Sequence, residues 1–380
     1  MIEPLRSPDS NSQLLGHKVG EYRLLREIGR GGMGVVFEAV HAETGQKVAV
    51  KAIHEKLLSN LTAVQRFVAE ARLMGRVSHP GLAKVLDSGQ LPGGRPYFVM
   101  EFLVGDSLQD RLRKRGRLTQ KEAVVIGESM ARALAVAHDK GIVHRDLKPD
   151  NVLIVADETV EGGEQVKILD FGIAKAIAAL AGETLPGVQT ATGLLLGTPT
   201  YMAPEQCRGG VEVTDRADVY SLGVVLYQLL SGAPPFVSRS PGDVIAMHIL
   251  EPLPPLANKA PEVTQSVVRL VTAMLSKRPT ERPSMSEVAD QLHALRNVEP
   301  RTLMLEPTQA AAKLAEAVQA MPTTEMRANE TRMFTDRPTT PIPASQPAVA
   351  VAKKSRPSWL LVVVLCAVIL GGVTAAMLLR

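Results

Sequence analysis

Cysteine is nearly absent from this 380-residue sequence, which contains only Cys207 and Cys366. Cys366 lies in a long apolar run and Cys207 does not, so we expect the two residues in different compartments and exclude a disulfide framework. The N-terminal residues MIEPLRSPDSNSQ contain no apolar run, and therefore no cleaved signal peptide is predicted. Reduced, cytosolic chemistry is expected.

A strong excess of one charge is also missing. The chain has 43 basic and 39 acidic residues, which gives a net charge of +4. A nucleic-acid-binding protein usually carries a basic stripe, so no nucleic-acid partner is predicted. No spacing of Cys and His residues suggests a zinc site.

One long stretch contains no charge at all. Residues 359–379 read WLLVVVLCAVILGGVTAAMLL, and as a helix they would extend about 30 Å, which matches the hydrocarbon core of a bilayer. Lys353, Lys354 and Arg356 precede this run and only Arg380 follows it. The sequence therefore predicts a single-pass transmembrane helix at 358–379 in the cell membrane, a cytoplasmic N-terminal part and essentially no extracytoplasmic domain.

The rest of the chain divides by composition. After an N-terminal extension (1–21), residues 22–295 are dense in periodic apolar segments, whereas 296–357 are rich in Pro, Thr and Ala and predict a disordered juxtamembrane linker. Within the folded part, strand-like runs dominate up to about residue 103 and helical patterns dominate from about 104 onward. We therefore predict an α+β, bilobal fold with a small strand-rich lobe and a larger helical lobe.

A glycine cluster interrupts two predicted strands. Four of the six residues from Gly29 to Gly34 are glycine, between the alternating segments YRLLREI and VVFEAV. The cluster predicts either a hairpin turn that needs positive φ angles or a loop whose backbone N–H groups close over phosphate. The residues that follow in the chain decide between these readings.

Two later strings carry candidate catalytic groups. HRDLKPDN supplies Asp146, Lys148 and Asn151, and VKILDFG places Asp170 at the end of a short predicted strand. A charged string of this kind is usually a solvated loop. However, a carboxylate and an amide five residues apart, with a lysine between them, could instead hold a nucleophile and a metal, and two hairpin strands would bring Asn151 close to Asp170.

With these motifs the sequence resembles the eukaryotic-type (Hanks-type) protein kinases, in the bacterial Ser/Thr branch. GRGGMGVV, VAVK, HRDLKPDN, DFG and APE occur in the family's order, and the resemblance covers about residues 22–295. It implies a Ser/Thr protein kinase that uses ATP and Mg²⁺, with Mn²⁺ as the alternative metal. The glycine cluster would then be the flap over the ATP phosphates.

The resemblance also assigns roles to individual residues. Asp146 would orient the substrate hydroxyl and accept its proton, and Lys148 would steady the γ-phosphate. Thr198 would bridge the side chains of Asp146 and Lys148. Asn151 and Asp170 would hold the metal. Lys51 would contact the α- and β-phosphates and pair with Glu70, which is preferred to Glu55 because Glu55 is too close to the strand end. The ATP site would comprise Ile28, Gly29, Arg30, Gly31, Gly32, Met33, Gly34, Val36, Ala49, Lys51, Glu70, Glu101 and Leu103.

Other residues would support the site. By resemblance, Glu205 and Arg282 form a structural ion pair, and Asp218 ties the catalytic loop to a helix. Arg145 would meet a phosphate on the activation loop, for which Thr190 and Thr192 are the favoured sites over Thr184. Thr198 is a poor phosphosite because its hydroxyl is needed in the active site.

Two other functions remain as alternatives. A catalytically weak pseudokinase or scaffold usually lacks the lysine or one of the two aspartates, but Lys51, Asp146 and Asp170 are all present. A ligand-gated receptor kinase would need an external sensor domain.

The expected partners are protein substrates, the lipid bilayer and a second copy of the chain acting in trans. The second copy is expected because Gly371 and Ala375 have the spacing of helix dimers in membranes. The basic run 111–117 is read as a solvated helix end, with anionic lipid as the alternative partner.

Overall fold

The N-terminal part of the chain forms a six-stranded antiparallel sheet in a computed structural model that describes residues 14–160, 162–170, 199–209 and 213–298. Its strands are β1 (Lys18–Val19), β2 (Tyr22–Arg30), β3 (Gly34–His41), β4 (Lys47–Ile53), β5 (Val85–Leu91) and β6 (Arg95–Glu101). They are arranged in the order β1-β2-β3-β4-β6-β5. This register places Val36 opposite Lys51 and Ala49 opposite Met100, so residues of the predicted ATP site share neighbouring strands.

Helix α1 (Leu61–Met74) packs against this sheet. The side chain of Asn60 begins the helix by accepting a hydrogen bond of 3.0 Å from the N–H of Ala63, and Gly75 ends it. The ring of Phe67 lies 5.2 Å from that of Phe98 on β6. This contact packs α1 against β6, the strand next to β4, which carries Lys51.

The C-terminal part is mainly helical. A small sheet of β7 (Gly105–Ser107), β8 (Val152–Ala156) and β9 (Glu164–Ile168) lies at its start, in the order β7-β8-β9. The helices are α2 (Leu108–Arg115), α3 (Gln120–Asp139), α4 (Pro204–Arg208), α5 (Arg216–Ser231), α6 (Pro241–Leu250), α7 (Gln265–Met274) and α8 (Met285–Leu295). The strand-rich lobe followed by a helical lobe confirms the predicted bilobal fold.

Two sequence signals for helices can be compared with the structure. The string TQKE, residues 119–122, predicts a capping box at the start of α3, and the box is present, with Thr119 and Glu122 each bonding the other's backbone N–H. The sequence predicts that α5 begins at Asp218, but it begins at Arg216. Asp218 does not cap its own helix, because its fully buried carboxylate is turned toward the backbone N–H groups of His144 and Arg145.

Several predictions fall outside the described residues. These are the transmembrane helix at 358–379, most of the linker, the phosphosites Thr190 and Thr192, and Thr198. Among the helices formed by the residues that the structure describes, none has the length and apolar character needed to cross a membrane.

Candidate active site

Lys51 on β4 contacts two carboxylates from distant parts of the chain. Its Nζ lies 3.0 Å from Oε1 of Glu70 on α1 and 2.8 Å from Oδ1 of Asp170, which follows β9. The structure thus pairs Lys51 with the glutamate preferred from the sequence. Only 11% of the Lys51 side chain and 6% of the Glu70 side chain are exposed. These contacts bring residues of the two lobes together.

Burial and charge act in opposite directions on this cluster. Burial works to lower the pKa of Lys51, but the negative charges of Asp170 and Glu70 outweigh it, and the pKa is raised above its usual value. Burial raises the pKa of Glu70, although Lys51 opposes that effect. Lys51 is therefore kept charged in a partly dehydrated cleft, as a residue that binds phosphate must be.

The predicted catalytic loop brings three functional groups together. The Asn151 amide Nδ2 donates to the backbone carbonyl of Asp146 at 2.9 Å and lies 3.5 Å from its Oδ2. Lys148 Nζ lies 3.4 Å from the same carboxylate oxygen. The side chain of Asp146 is 25% exposed, so it is accessible from solvent.

The carboxylate of Asp218 binds the backbone of this loop. Its Oδ2 accepts the N–H of His144 at 2.7 Å and its Oδ1 accepts the N–H of Arg145 at 2.8 Å. The imidazole Nε2 of His138 donates a third hydrogen bond of 2.8 Å to Oδ2. Burial acts to raise the pKa of Asp218, but these donors outweigh it and the pKa is lowered, so the buried group is an ionised acceptor.

Arg145 and Asp170 both have left-handed backbone conformations. Their φ angles are 62° and 37°, and they are the only non-glycine residues with positive φ in the described part of the chain. Asp218 holds the N–H of Arg145. His144 holds the segment before Asp170, since its Nε2 donates to the carbonyl of Leu169 at 3.0 Å while its Nδ1 accepts the N–H of Asp146 at 3.2 Å. Strained residues often occur at functional sites. Arg145 adjoins the predicted catalytic residue Asp146, and Asp170 is itself a predicted metal ligand.

The donor atoms near Asp170 are suited to a hard divalent cation. Because Asn151 uses its Nδ2 to bond Asp146, its Oδ1 could serve as an oxygen ligand. The N–H of Leu169 donates to the carbonyl of Asn151 at 2.8 Å, so Asn151 and Asp170 come at neighbouring ends of the paired strands β8 and β9, and the Asp170 side chain is 46% exposed. No cluster of three or more His, Cys, Asp or Glu side chains forms a metal cage among the described residues. The arrangement fits a cation held by one carboxylate and one amide, with the remaining ligands supplied by phosphates and water.

The structure also bears on the glycine cluster. Gly29, Gly31 and Gly34 all lie outside the left-handed φ region, so the turn reading that needs positive φ does not explain them. A Cβ at Gly34 would lie 2.5 Å from the carbonyl oxygen of Ala52, which excludes a side chain there. A Cβ at Gly31 would meet no atom within 4 Å. At that position the absence of a side chain leaves open space.

The predicted adenine site lies where β6 leaves the sheet. Ala49 and Met100 are buried in one apolar cluster, and Val36 packs against it. The N–H of Glu101 already donates to the carbonyl of Lys84 at 3.0 Å, so this N–H is not available to a base edge. The Glu101 side chain is held by Lys167 Nζ at 2.8 Å. The remaining backbone contacts would therefore come from Leu103.

Glu205 and Arg282 form the ion pair that the resemblance implies. The two guanidinium nitrogens of Arg282 lie 2.7 Å and 2.8 Å from the two carboxylate oxygens of Glu205, and both side chains are buried. The other donors of Arg282 bond the carbonyls of Ser276, Arg216 and Lys277. This buried pair lies in the helical lobe, away from the reacting groups.

The basic run 111–117 is neutralised by carboxylates. Each of its five basic side chains has an acidic partner within 3 Å: Arg111 with Glu164, Arg113 with Asp110, Lys114 with Asp106, Arg115 with Glu122 and Arg117 with Glu262. This pairing supports the reading as a solvated helix end over the anionic-lipid alternative.

Sequence reasoning missed two histidines next to the site. His138, on the last turn of α3, bonds the buried Asp218, and His54 bonds the carbonyl of Gly31 in the glycine cluster. Neither belongs to one of the quoted motifs. The only signal in the sequence is their position, six residues before His144 and three after Lys51.

Comparisons with known proteins agree with this geometry. Residues 22–293 match the model of the protein kinase domain. The chain is 42% identical over 282 residues to serine/threonine-protein kinase PknA of Mycobacterium tuberculosis and 40% identical over 275 residues to Pkn1 of Myxococcus xanthus. These alignments include 73% and 72% of this chain, but only 62% of PknA and 38% of Pkn1. The chain thus matches less than two thirds of the length of either relative.

A solved structure gives the same result for the fold. The kinase domain of PknI from Mycobacterium tuberculosis superposes with a TM-score of 0.56 at 27% identity, and the match covers 73% of this chain and 98% of that domain. On the extent of the family match and the identity to its curated relatives, the chain belongs to the protein kinase domain family.

Proposed function

We propose that this chain is a serine/threonine protein kinase that transfers the γ-phosphate of ATP to Ser and Thr hydroxyls of proteins. The observation that carries the proposal is the double contact of Lys51 with Glu70 and Asp170. The relatives named above as serine/threonine-protein kinases support the specificity. A pseudokinase is disfavoured because Lys51, Asp146 and Asp170 are all present in their motifs.

The residues of the chain suggest how transfer proceeds. Asp146 orients the substrate hydroxyl and accepts its proton, and Lys148 lies close enough to offset charge on the transferred group. Lys51 holds the phosphates of the nucleotide. Asn151 and Asp170 would hold Mg²⁺, which when bound neutralises phosphate charge, and Mn²⁺ has the same ligand preference for oxygen. Catalysis consists of positioning and charge neutralisation, with little covalent work for the protein.

The test is a phosphorylation assay on the purified full-length chain with a generic protein substrate. Asp146→Asn should keep ATP binding and lose transfer, because the change removes the proton acceptor while preserving the shape of the side chain. Asp139→Asn, an exposed position at the end of α3, is the matched control and should keep full activity. A rate above a tenth of wild type for Asp146→Asn, or phosphate found on Tyr by mass spectrometry, would contradict the proposal.

Regulation by autophosphorylation belongs to the same proposal. Arg145 is half-buried, burial lowers its pKa below the usual value, and its guanidinium has a carbonyl partner, Val213, but no carboxylate ion pair among the described residues. A loop phosphate would supply the missing negative charge. The favoured phosphorylation sites are Thr190 and Thr192, and Thr184→Ala is the control variant. If the Thr190→Ala, Thr192→Ala protein equals wild type after both are dephosphorylated and then preincubated with ATP, these sites are not regulatory.

Membrane attachment and self-association are supported by the sequence alone. The uncharged run 359–379 and the basic residues before it favour a single-pass anchor in the cell membrane with the kinase on the cytoplasmic side. Two anchored copies could phosphorylate each other in trans. Gly371→Leu with Gly372→Leu should keep membrane insertion but slow autophosphorylation in vesicles. An unchanged rate would leave the segment as a tether.

A further inference from the structure

His54 links the end of β4 to the glycine cluster. Its side chain is buried, and Nε2 lies 2.7 Å from the carbonyl oxygen of Gly31. Its backbone N–H also donates to the carbonyl of Met33 at 2.9 Å. The tip of the cluster, residues 31–34, is closed by a further hydrogen bond of 2.9 Å from the N–H of Gly31 to the carbonyl of Gly34.

The imidazole must be the donor in this contact. A carbonyl oxygen only accepts hydrogen bonds, so Nε2 carries a hydrogen whether the ring is neutral or charged. Gly31 has no side chain, and a Cβ built there would meet no atom within 4 Å, so side-chain packing does not orient this peptide, although Met33 next to it packs against the apolar cluster of β4, β6 and α1. The hydrogen bond from His54 is therefore the contact, among the described residues, that orients the Gly31 carbonyl.

The orientation of these two carbonyl groups also determines where the neighbouring N–H groups of the loop point. In a trans peptide the C=O and the following N–H point in opposite directions. With the carbonyls of Gly31 and Met33 turned toward His54, the N–H groups of Gly32 and Gly34 point away from it. Backbone N–H groups fixed in this way are the usual means by which a glycine-rich loop binds phosphate.

We infer that His54 is a positioning residue for ATP: its imidazole sets the orientation of the Gly31–Gly32 peptide so that the N–H of Gly32 is presented to the phosphates. The inference rests on the proposed function, and it concerns the phosphate chain and not the adenine. His54 itself does not touch the nucleotide.

The experiment measures equilibrium binding of MgATP and of adenosine to the full-length chain by calorimetry. His54→Phe keeps a ring and removes the donor, whereas His54→Gln keeps an amide hydrogen near the position of Nε2. We expect the Kd for MgATP to rise about 5- to 10-fold in His54→Phe, as for loss of one hydrogen bond, and to recover in His54→Gln. The Kd for adenosine should stay within about twofold, since it has no phosphate to contact the loop.

His41→Phe is the matched control. His41 ends β3 in the same sheet, its Nδ1 accepts the N–H groups of Glu43 and Thr44, and its ring packs edge-on against Tyr22. None of these contacts involves the glycine cluster, so both dissociation constants should be unchanged. Equal weakening of MgATP and adenosine in His54→Phe, no weakening at all, or failure of His54→Gln to recover binding would overturn the inference. If the wild-type chain binds MgATP but transfers no phosphate, the proposed function fails while the assignment of His54 stands.

Discussion

Acid should destabilise the helical lobe through one buried histidine. His248 on α6 is fully buried, its Nε2 donates to the carbonyl of Thr200 at 2.9 Å, and its Nδ1 lies 2.8 Å from the hydroxyl of Tyr220. Burial lowers the pKa of His248 from 6.5 to about 4, with the Thr200 bond opposing the effect and Lys277 adding to it. The folded protein thus holds this ring neutral.

The size and sign of the effect follow from that pKa. Below pH 6.5 the unfolded chain takes up a proton at His248 that the folded chain refuses until about pH 4. Stability is therefore fully present above pH 6.5 and is lost as the pH falls from 6.5 to 4. The gap corresponds to about 3 kcal/mol of unfolding free energy.

The assay is urea unfolding at a series of pH values between 4 and 7, followed by far-UV circular dichroism. Tryptophan fluorescence is unsuitable because the single tryptophan, Trp359, lies outside the kinase domain. Subtracting the curve of His248→Gln from that of wild type isolates this residue from other groups that titrate in acid. His17→Gln, at an exposed histidine just before β1, is the control. If wild type and His248→Gln lose stability in parallel over this range, the reasoning is refuted.

Three further changes test the site and its support. Lys51→Met should lower the rate of phosphoryl transfer more than about 100-fold, since it removes a preorganised positive charge; a radiolabelled ATP assay measures this, and a smaller loss would contradict the role. Arg282→Met should lower the unfolding free energy by about 3–5 kcal/mol, because it leaves the Glu205 carboxylate buried without a partner. In urea unfolding, adding Glu205→Leu should restore part of the lost free energy, and a double variant no more stable than Arg282→Met would refute the role of the buried charge. Asp218→Asn should reduce kcat about 100-fold with little change in ATP affinity, because the loop is displaced while the nucleotide contacts remain; steady-state kinetics that show a rise in KM alone would count against it.

Local patterns explain why much of the fold could be predicted. The strand β4 coincides with the β-type run KVAVKAI, and the capping box marks the start of α3, because both signals lie within a few neighbouring residues. The choice of Glu70 over Glu55 also succeeded, since helical spacing places Glu70 on the same buried side as Phe67 and Ala71. Periodicity of this kind is set by backbone geometry alone.

Contacts between distant residues could not be predicted in the same way. His138 and Asp218 are 80 residues apart, and Arg117 and Glu262 are 145 apart. No local pattern distinguishes a histidine that bonds a buried carboxylate from one that faces solvent, and a run of basic residues looks the same with or without partners. The packing of α3 against α5 decides the first case, and the second depends on how the segments that precede α3 and α7 meet.

The support of the catalytic loop depends on energy from the helical core. The left-handed conformation of Arg145 is unfavourable by about 1–3 kcal/mol for a non-glycine residue. The hydrogen bonds from the N–H groups of His144 and Arg145 to the ionised Asp218 contribute about 1.5–3 kcal/mol each, so they outweigh the strain. Asp218 is anchored within the first turn of α5, whose residues 217–230 are all buried. The position of Asp146 is therefore fixed by a helix of the helical lobe, and under the proposed function changes in that helix should affect turnover before they affect ATP binding.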